Sequence, residues 1–198
     1  MSRNEVVDLL EKTLGENEIA FARKSGGGAD VDHVVVELPG ERKLKTTVLL
    51  TASEHGVRVE AFVCRRPDEN HAGVYKYLLK RNRRLYGVAY TIDNTGDIYL
   101  VGRISADGLS SGEVDRILGQ VLEAADGDFN TLLELGFLTS IQREWAWRVS
   151  RGESVRNLLA FVPRKYNAAL IEAMALAGKA AKSKKPGERL FAEFTQAA

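Results

Sequence analysis

Most of the features that tie a sequence to a particular chemistry are scarce in this 198-residue chain. There is one cysteine, Cys64, so no intrachain disulfide can form and a reducing compartment is expected. The N-terminal stretch MSRNEVVDLLEKTLGENE lacks the continuous apolar core of a secretory signal. No apolar run approaches the ~18 residues of a bilayer span, so cytoplasmic residence is the expectation. Net charge is also nearly absent. The 28 basic and 27 acidic side chains leave +1, which argues against strong nonspecific attraction of the whole chain to nucleic acid or anionic lipid.

What is present suits an ordinary globular body. The hydrophobic content of 44% is typical, and a chain this long can bury a core without a disulfide or metal. Charge is unevenly placed. From Pro163 onward the cations Arg164, Lys165, Lys179, Lys182, Lys184, Lys185 and Arg189 outnumber Glu172, Glu188 and Glu193. This separates a body over 1–162 from a basic, Ala-rich C-terminal extension over 163–198, expected to be a helix over Asn167–Ala181 with a flexible break at Lys182–Gly187.

Periodicity assigns most elements. Val6, Leu9, Leu10 and Leu14 share a stripe, predicting a helix over Glu5–Leu14 with Ser2 as cap and Gly15 as terminator. Strands follow, starting near Ile19 and Phe21, then at His33–Leu38, Leu44–Ala52 and Val57–Val63, with a loop at Gly26–Asp30 and a tight connection at Glu54-His55-Gly56. Short connections favour an antiparallel meander. A helix over Ala72–Leu85 is expected, with Val74, Tyr75, Leu78, Leu79 and Leu85 as its apolar face and Asn70 or Asp68 as its cap. Asn94-Thr95-Gly96-Asp97 joins strands Gly87–Ile92 and Ile98–Ile104. Ser110 and Glu113 have capping-box spacing before a long helix that Gly127 bends or splits.

A search for chemistry leaves few candidates. His33, His55 and His71 fall in no nucleophile motif and read as structural or solvated. Cys64 precedes Arg65-Arg66, which would favour a thiolate; the plainer reading is a buried small hydrophobe at a strand end. Asp126, Asp128 and Asn130 begin like a calcium loop, but Thr131 and Phe137 stand where Gly and Glu are required, which leaves a bent or capped helix junction. Gly26-Gly27-Gly28 precedes a strand rather than a helix N-terminus, so it is a loop and not a phosphate cradle. No cofactor or metal is implied.

Two surface features stand out. The run Lys76, Lys80, Arg81, Arg83 and Arg84 could be a solvated face, a seat for an acidic protein segment, or a phosphate-binding surface. Trp145 and Trp147 could be interface anchors or could close the core edge. Arg65, Arg66, Asp68, Glu69, Asn70 and His71 form a polar loop that turns and caps, or shapes a recognition edge.

The segments VVVELPGERKLKTTVLLT, VRVEAFVCRRPDENHAGVYKYLLKRNRRLYGVAYTID, GDIYLVGRIS and LGQVLEAADGDFNTLLELGF together resemble actinobacterial YbjN-domain proteins, which are labelled sensory transduction regulators, over roughly Glu5–Phe161. The resemblance implies a fold similar to type III secretion chaperones, a habit of forming homodimers, and a protein-binding or regulatory role with no established catalytic residues. The expected architecture is α+β, an antiparallel sheet of about five or six strands with helices packed on one face. The leading expectation is a non-catalytic binding protein whose partner-binding residues are Arg65, Arg66, Lys76, Lys80, Arg83, Arg84, Trp145 and Trp147. A nucleic-acid or nucleotide binder using the basic helix and tail is the runner-up, and a hydrolase comes last.

Overall fold

The computed structural model describes residues 1–25 and 31–161. The loop expected at Gly26–Asp30, the helix expected at Asn167–Ala181 and the break after it lie outside the described residues. The chain divides into two compact units, Met1–Leu132 and a second beginning at Leu133.

The first unit begins with α1 (Arg3–Glu16). Ser2 Oγ accepts the Glu5 N–H, and the Glu5 carboxylate accepts the Ser2 N–H at 2.6 Å, closing a full capping box. The helix passes through Gly15 and ends at Glu16, two residues later than a glycine stop predicts, with Asn17 as its C-cap. Val6, Val7, Leu10 and Leu14 are buried on one stripe.

Six antiparallel strands follow: β1 (Phe21–Ser25), β2 (Asp32–Pro39), β3 (Lys45–Ser53), β4 (Gly56–Cys64), β5 (Val88–Ile92) and β6 (Ile98–Ser105). Their order is β1-β2-β3-β4-β6-β5, so β1 and β5 are the edges. Alternation sets the register. Val36 pairs with Val48, Val48 with Ala61 and Ala61 with Leu100, all buried on one face. That face packs on α1 and on α3 (Ser111–Gly127), which buries Val114, Ile117, Leu118 and Val121. Ser110 Oγ caps α3 by accepting the Glu113 N–H; the Glu113 carboxylate, expected to close the box, accepts from the Tyr86 hydroxyl at 2.9 Å instead.

α2 (His71–Asn82) bridges β4 and β5 and lies beside edge strand β5. It is shorter than expected, because Arg83 is its C-cap and Arg84 lies in the following turn. α3 stops at Gly127, and α4 (Phe129–Arg151) starts after Asp128, so the glycine splits the helix as its cost in a helix suggests. The second unit holds the rest of α4 and a short 3-10 helix, Arg156–Phe161. Arg148 donates to Ser154 O and Asn157 Oδ1, both at 3.0 Å, tying the two together.

Candidate functional site: the two sides of the α2 helix

Helical spacing sorts the side chains of α2 into two stripes. Val74, Tyr77, Leu78 and Arg81 recur at three and four on one side; Lys76, Leu79, Lys80 and Arg83 do so on the other. Val74 and Leu78 are buried, whereas Leu79 is 68% exposed and Leu85 lies beyond the helix. The expected apolar face is corrected accordingly: Tyr77 and Arg81 replace Leu79 and Leu85.

The inner stripe converges on Asp128, which is 5% exposed. Asp128 Oδ1 accepts the Tyr77 hydroxyl at 2.7 Å. Its Oδ2 accepts Arg81 Nε–H at 2.7 Å and the Tyr90 hydroxyl at 2.8 Å. Arg81 also reaches Glu123 at 3.2 Å. A buried carboxylate is tolerable because three donors and one full positive charge satisfy it. Burial and the neighbouring carboxylate push the Tyr77 phenol up to about 12 and move Tyr90 in the same direction, so both stay neutral donors. Asn82 at the end of α2 completes the joint. Its amide accepts the Tyr90 backbone N–H at 2.7 Å and donates to the Tyr90 carbonyl at 3.2 Å, standing in for a neighbouring strand on edge β5.

The outer stripe is different. Lys76, Lys80, Arg83 and Arg84 are exposed, and no acidic side chain pairs with them among the described residues. Many other cations have acidic partners: Arg3 and Arg23 with Asp32, Lys45 with Glu37, Arg58 with Glu60 and Arg116 with Glu113.

The loop before α2 is self-contained. Arg65 grips Asp68 through two bonds of 2.5 and 2.8 Å, so Asp68 is not the helix cap. Asn70 occupies the N-cap position at φ +48° but makes no side-chain capping bond. The Arg66 N–H donates to Asp97 Oδ1 at 2.7 Å, while its methylenes lie across Gly96, where φ is +90°. Arg65–Arg66 and Arg83–Arg84 therefore stand at opposite ends of a helix about 18 Å long, and do not form one cluster.

Trp145 and Trp147 belong to the second unit and sit on opposite sides of α4. Trp145 is 3% exposed; Trp147 is 49% exposed with the Arg151 guanidinium 4.9 Å above its ring.

The remaining chemical candidates are scattered. Cys64 is buried, and desolvation pushes its thiol up to about 11, outweighing Lys43 and Arg65; a poised thiolate is not what this site makes. His33 meets Thr51 at 3.2 Å, His71 meets the Pro67 carbonyl at 2.9 Å, and His55 lies beside Glu54 on the surface. Among the described residues no group of His, Cys, Asp and Glu is placed to hold a metal ion. No described helix is long and apolar enough to cross a membrane.

Fold and site together define a small α+β protein in which α1 and α3 pack on one face of a six-stranded antiparallel sheet and a buried polar joint ties α2 to the first unit. The chain belongs to the YbjN family, described as "Putative bacterial sensory transduction regulator", which matches residues 7–134. It is 60% identical over 153 residues to an uncharacterized protein of Mycobacterium leprae, covering 77% of this chain and 83% of that one. To an uncharacterized protein of Mycobacterium tuberculosis H37Rv it is 58% identical over 153 residues, covering 77% and 84%. Among solved structures it is similar to the heterodimeric ExoU–SpcU complex from the type III secretion system of Pseudomonas aeruginosa. That likeness has 14% identity and a TM-score of 0.44, and covers 65% of this chain and 98% of that one. A second likeness, to the ExsC–ExsE complex, has 22% identity and a TM-score of 0.45, and covers 67% and 97%.

Proposed function

We propose that this chain is a non-catalytic, chaperone-like or regulatory protein that engages a protein partner through its sheet and helix surface, working in the cytoplasm as a homodimer. The observation that carries this reading is the sheet face turned away from α1 and α3. Val35, Leu49 and Val101 lie half-buried across it, beside Phe62, which is 39% exposed and meets Tyr99 edge-on at 5.4 Å. Two ion pairs lie on the same face, Arg58 with Glu60 and Lys45 with Glu37, and Arg103 stands across from Arg58. A rigid apolar face edged by charged side chains suits a polypeptide, since a preformed surface loses little entropy on binding. The family's regulatory description agrees with a role of this kind. Arg65, Arg66, Lys76, Lys80, Arg83 and Arg84 would extend the contact, and Trp147, on the second unit, would make one of its own. Trp145, 3% exposed, would not touch a partner.

The test is affinity capture with the full chain from native cytoplasmic extract, with and without nuclease, read by mass spectrometry and repeated with Phe62→Ser. A stoichiometric protein that survives nuclease and is lost with Phe62→Ser is the expected result. Loss of everything on nuclease treatment would instead favour the nucleic-acid reading.

A further inference from the structure

We infer that the outward stripe of α2 is a docking site for an acidic amphipathic helix of a partner protein, with Leu79 as its apolar anchor. The inference rests on the protein-binding reading above and names a surface and a partner chemistry for it. Leu79 is the most exposed large apolar side chain of any described helix, at 68%. Lys76 and Lys80 flank it, Arg83 stands one turn further on, and Arg84 follows. An exposed leucine framed by cations that have no acidic partner among the described residues is complementary to one kind of ligand: carboxylates around an apolar residue.

The stripe runs along the helix axis for about 10 Å, the reach of two turns. A partner helix carrying an apolar residue with Asp or Glu at three and four positions either side would match it, the helix-on-helix form of peptide recognition. The platform is held rigidly, because Arg81 and Tyr77 on the opposite stripe are fixed to Asp128, and Asn82 is fixed to β5. Two other occupants fit less well. Nucleic acid would use the cations, but Leu79 offers a phosphate nothing, and the aromatic rings of α2 are engaged elsewhere: Tyr77 donates to Asp128 and Tyr75 packs near His71. A second copy docking stripe to stripe would set Lys76 and Lys80 against their own counterparts.

The experiment presents random peptides of about 15 residues, roughly four helical turns, to the immobilised full chain and sequences the enriched pool. In parallel, a fluorescent single-stranded oligonucleotide is titrated into the chain, and sedimentation records its size. The expected pool is rich in Asp and Glu around Leu, Ile or Phe at helical spacing. Its leading peptide should weaken about tenfold or more with Leu79→Ser and with Lys76→Glu/Lys80→Glu, at unchanged melting temperature. A neutral or basic pool, or peptides indifferent to these variants, would overturn the α2 assignment while leaving protein binding intact. An empty pool with tight oligonucleotide binding would overturn both readings. A dimer dissolved by Leu79→Ser would assign the stripe to self-association and overturn the proposal.

Discussion

On its inner side α2 carries one arginine, Arg81, whose guanidinium meets two carboxylates; on its outer side it carries two lysines that meet none among the described residues. The two sides are a few ångströms apart on a single helix and use similar side chains. What separates them is where each charge finds its partner. Inside, Asp128 is surrounded by donors, and removing any of them leaves a buried group unsatisfied. Outside, the cations keep their water, and nothing within the fold depends on them. Stability should therefore reside on one side of α2 and recognition on the other.

Breaking the inner side should have the largest effect. Asp128→Ala strands Arg81, Tyr77 and Tyr90, and should cost about 3 kcal/mol or more in urea unfolding, the range for a buried ion pair that loses one member. Asn82→Ala should cost about 1–2 kcal/mol, because the Tyr90 N–H and C=O lose their partners at the sheet edge. If Asn82→Ala also promotes aggregation, the amide acts as an edge stopper as well as a tether.

The inner side, together with Cys64 at the end of β4, should also be sensitive to alkali. Cys64 and Tyr77 are held up at about 11 and about 12, and Tyr90 moves in the same direction. The unfolded chain releases these protons earlier, near ~8.5 for cysteine and ~10 for tyrosine, so above those values the folded state holds more protons. Stability is then full below pH ~8 and falls as the pH rises through about 9 to 12. Denaturation midpoints across that range should decline, and Tyr90→Phe should flatten the decline.

The smallest effect on stability is expected outside. Lys76→Glu/Lys80→Glu should change unfolding free energy by less than about 0.5 kcal/mol, as surface substitutions do, and relieving like-charge repulsion could make the change favourable.

The sequence made one side of this comparison legible and concealed the other. β-branched runs bounded by turn residues, and alternation over Val57–Val63, placed the strands within a residue or two. Ser2 and Ser110 marked helix starts through local chemistry alone. The inner joint did not show. Arg81 lies 47 residues from Asp128, and Tyr77 lies 51 from it. Arg81 was grouped with the cations around it, although its spacing from Val74, Tyr77 and Leu78 sets it on the apolar stripe. That spacing was the available signal. The sequence places Asp128 at a helix junction but not in the core, since nothing local indicates that a carboxylate after a helix-ending glycine will be buried. Asn70 misled for a related reason: the residue type suits a cap, but its left-handed backbone makes no side-chain capping bond in the fold.

The most direct measurement of the division within α2 is partner retention by Lys76→Glu/Lys80→Glu/Arg83→Glu, captured from nuclease-treated extract and compared with wild type at matched melting temperature. The account predicts a melting temperature within about 2 °C of wild type and a captured protein partner that is lost. Full retention of the partner, or a melting temperature that collapses, would contradict it.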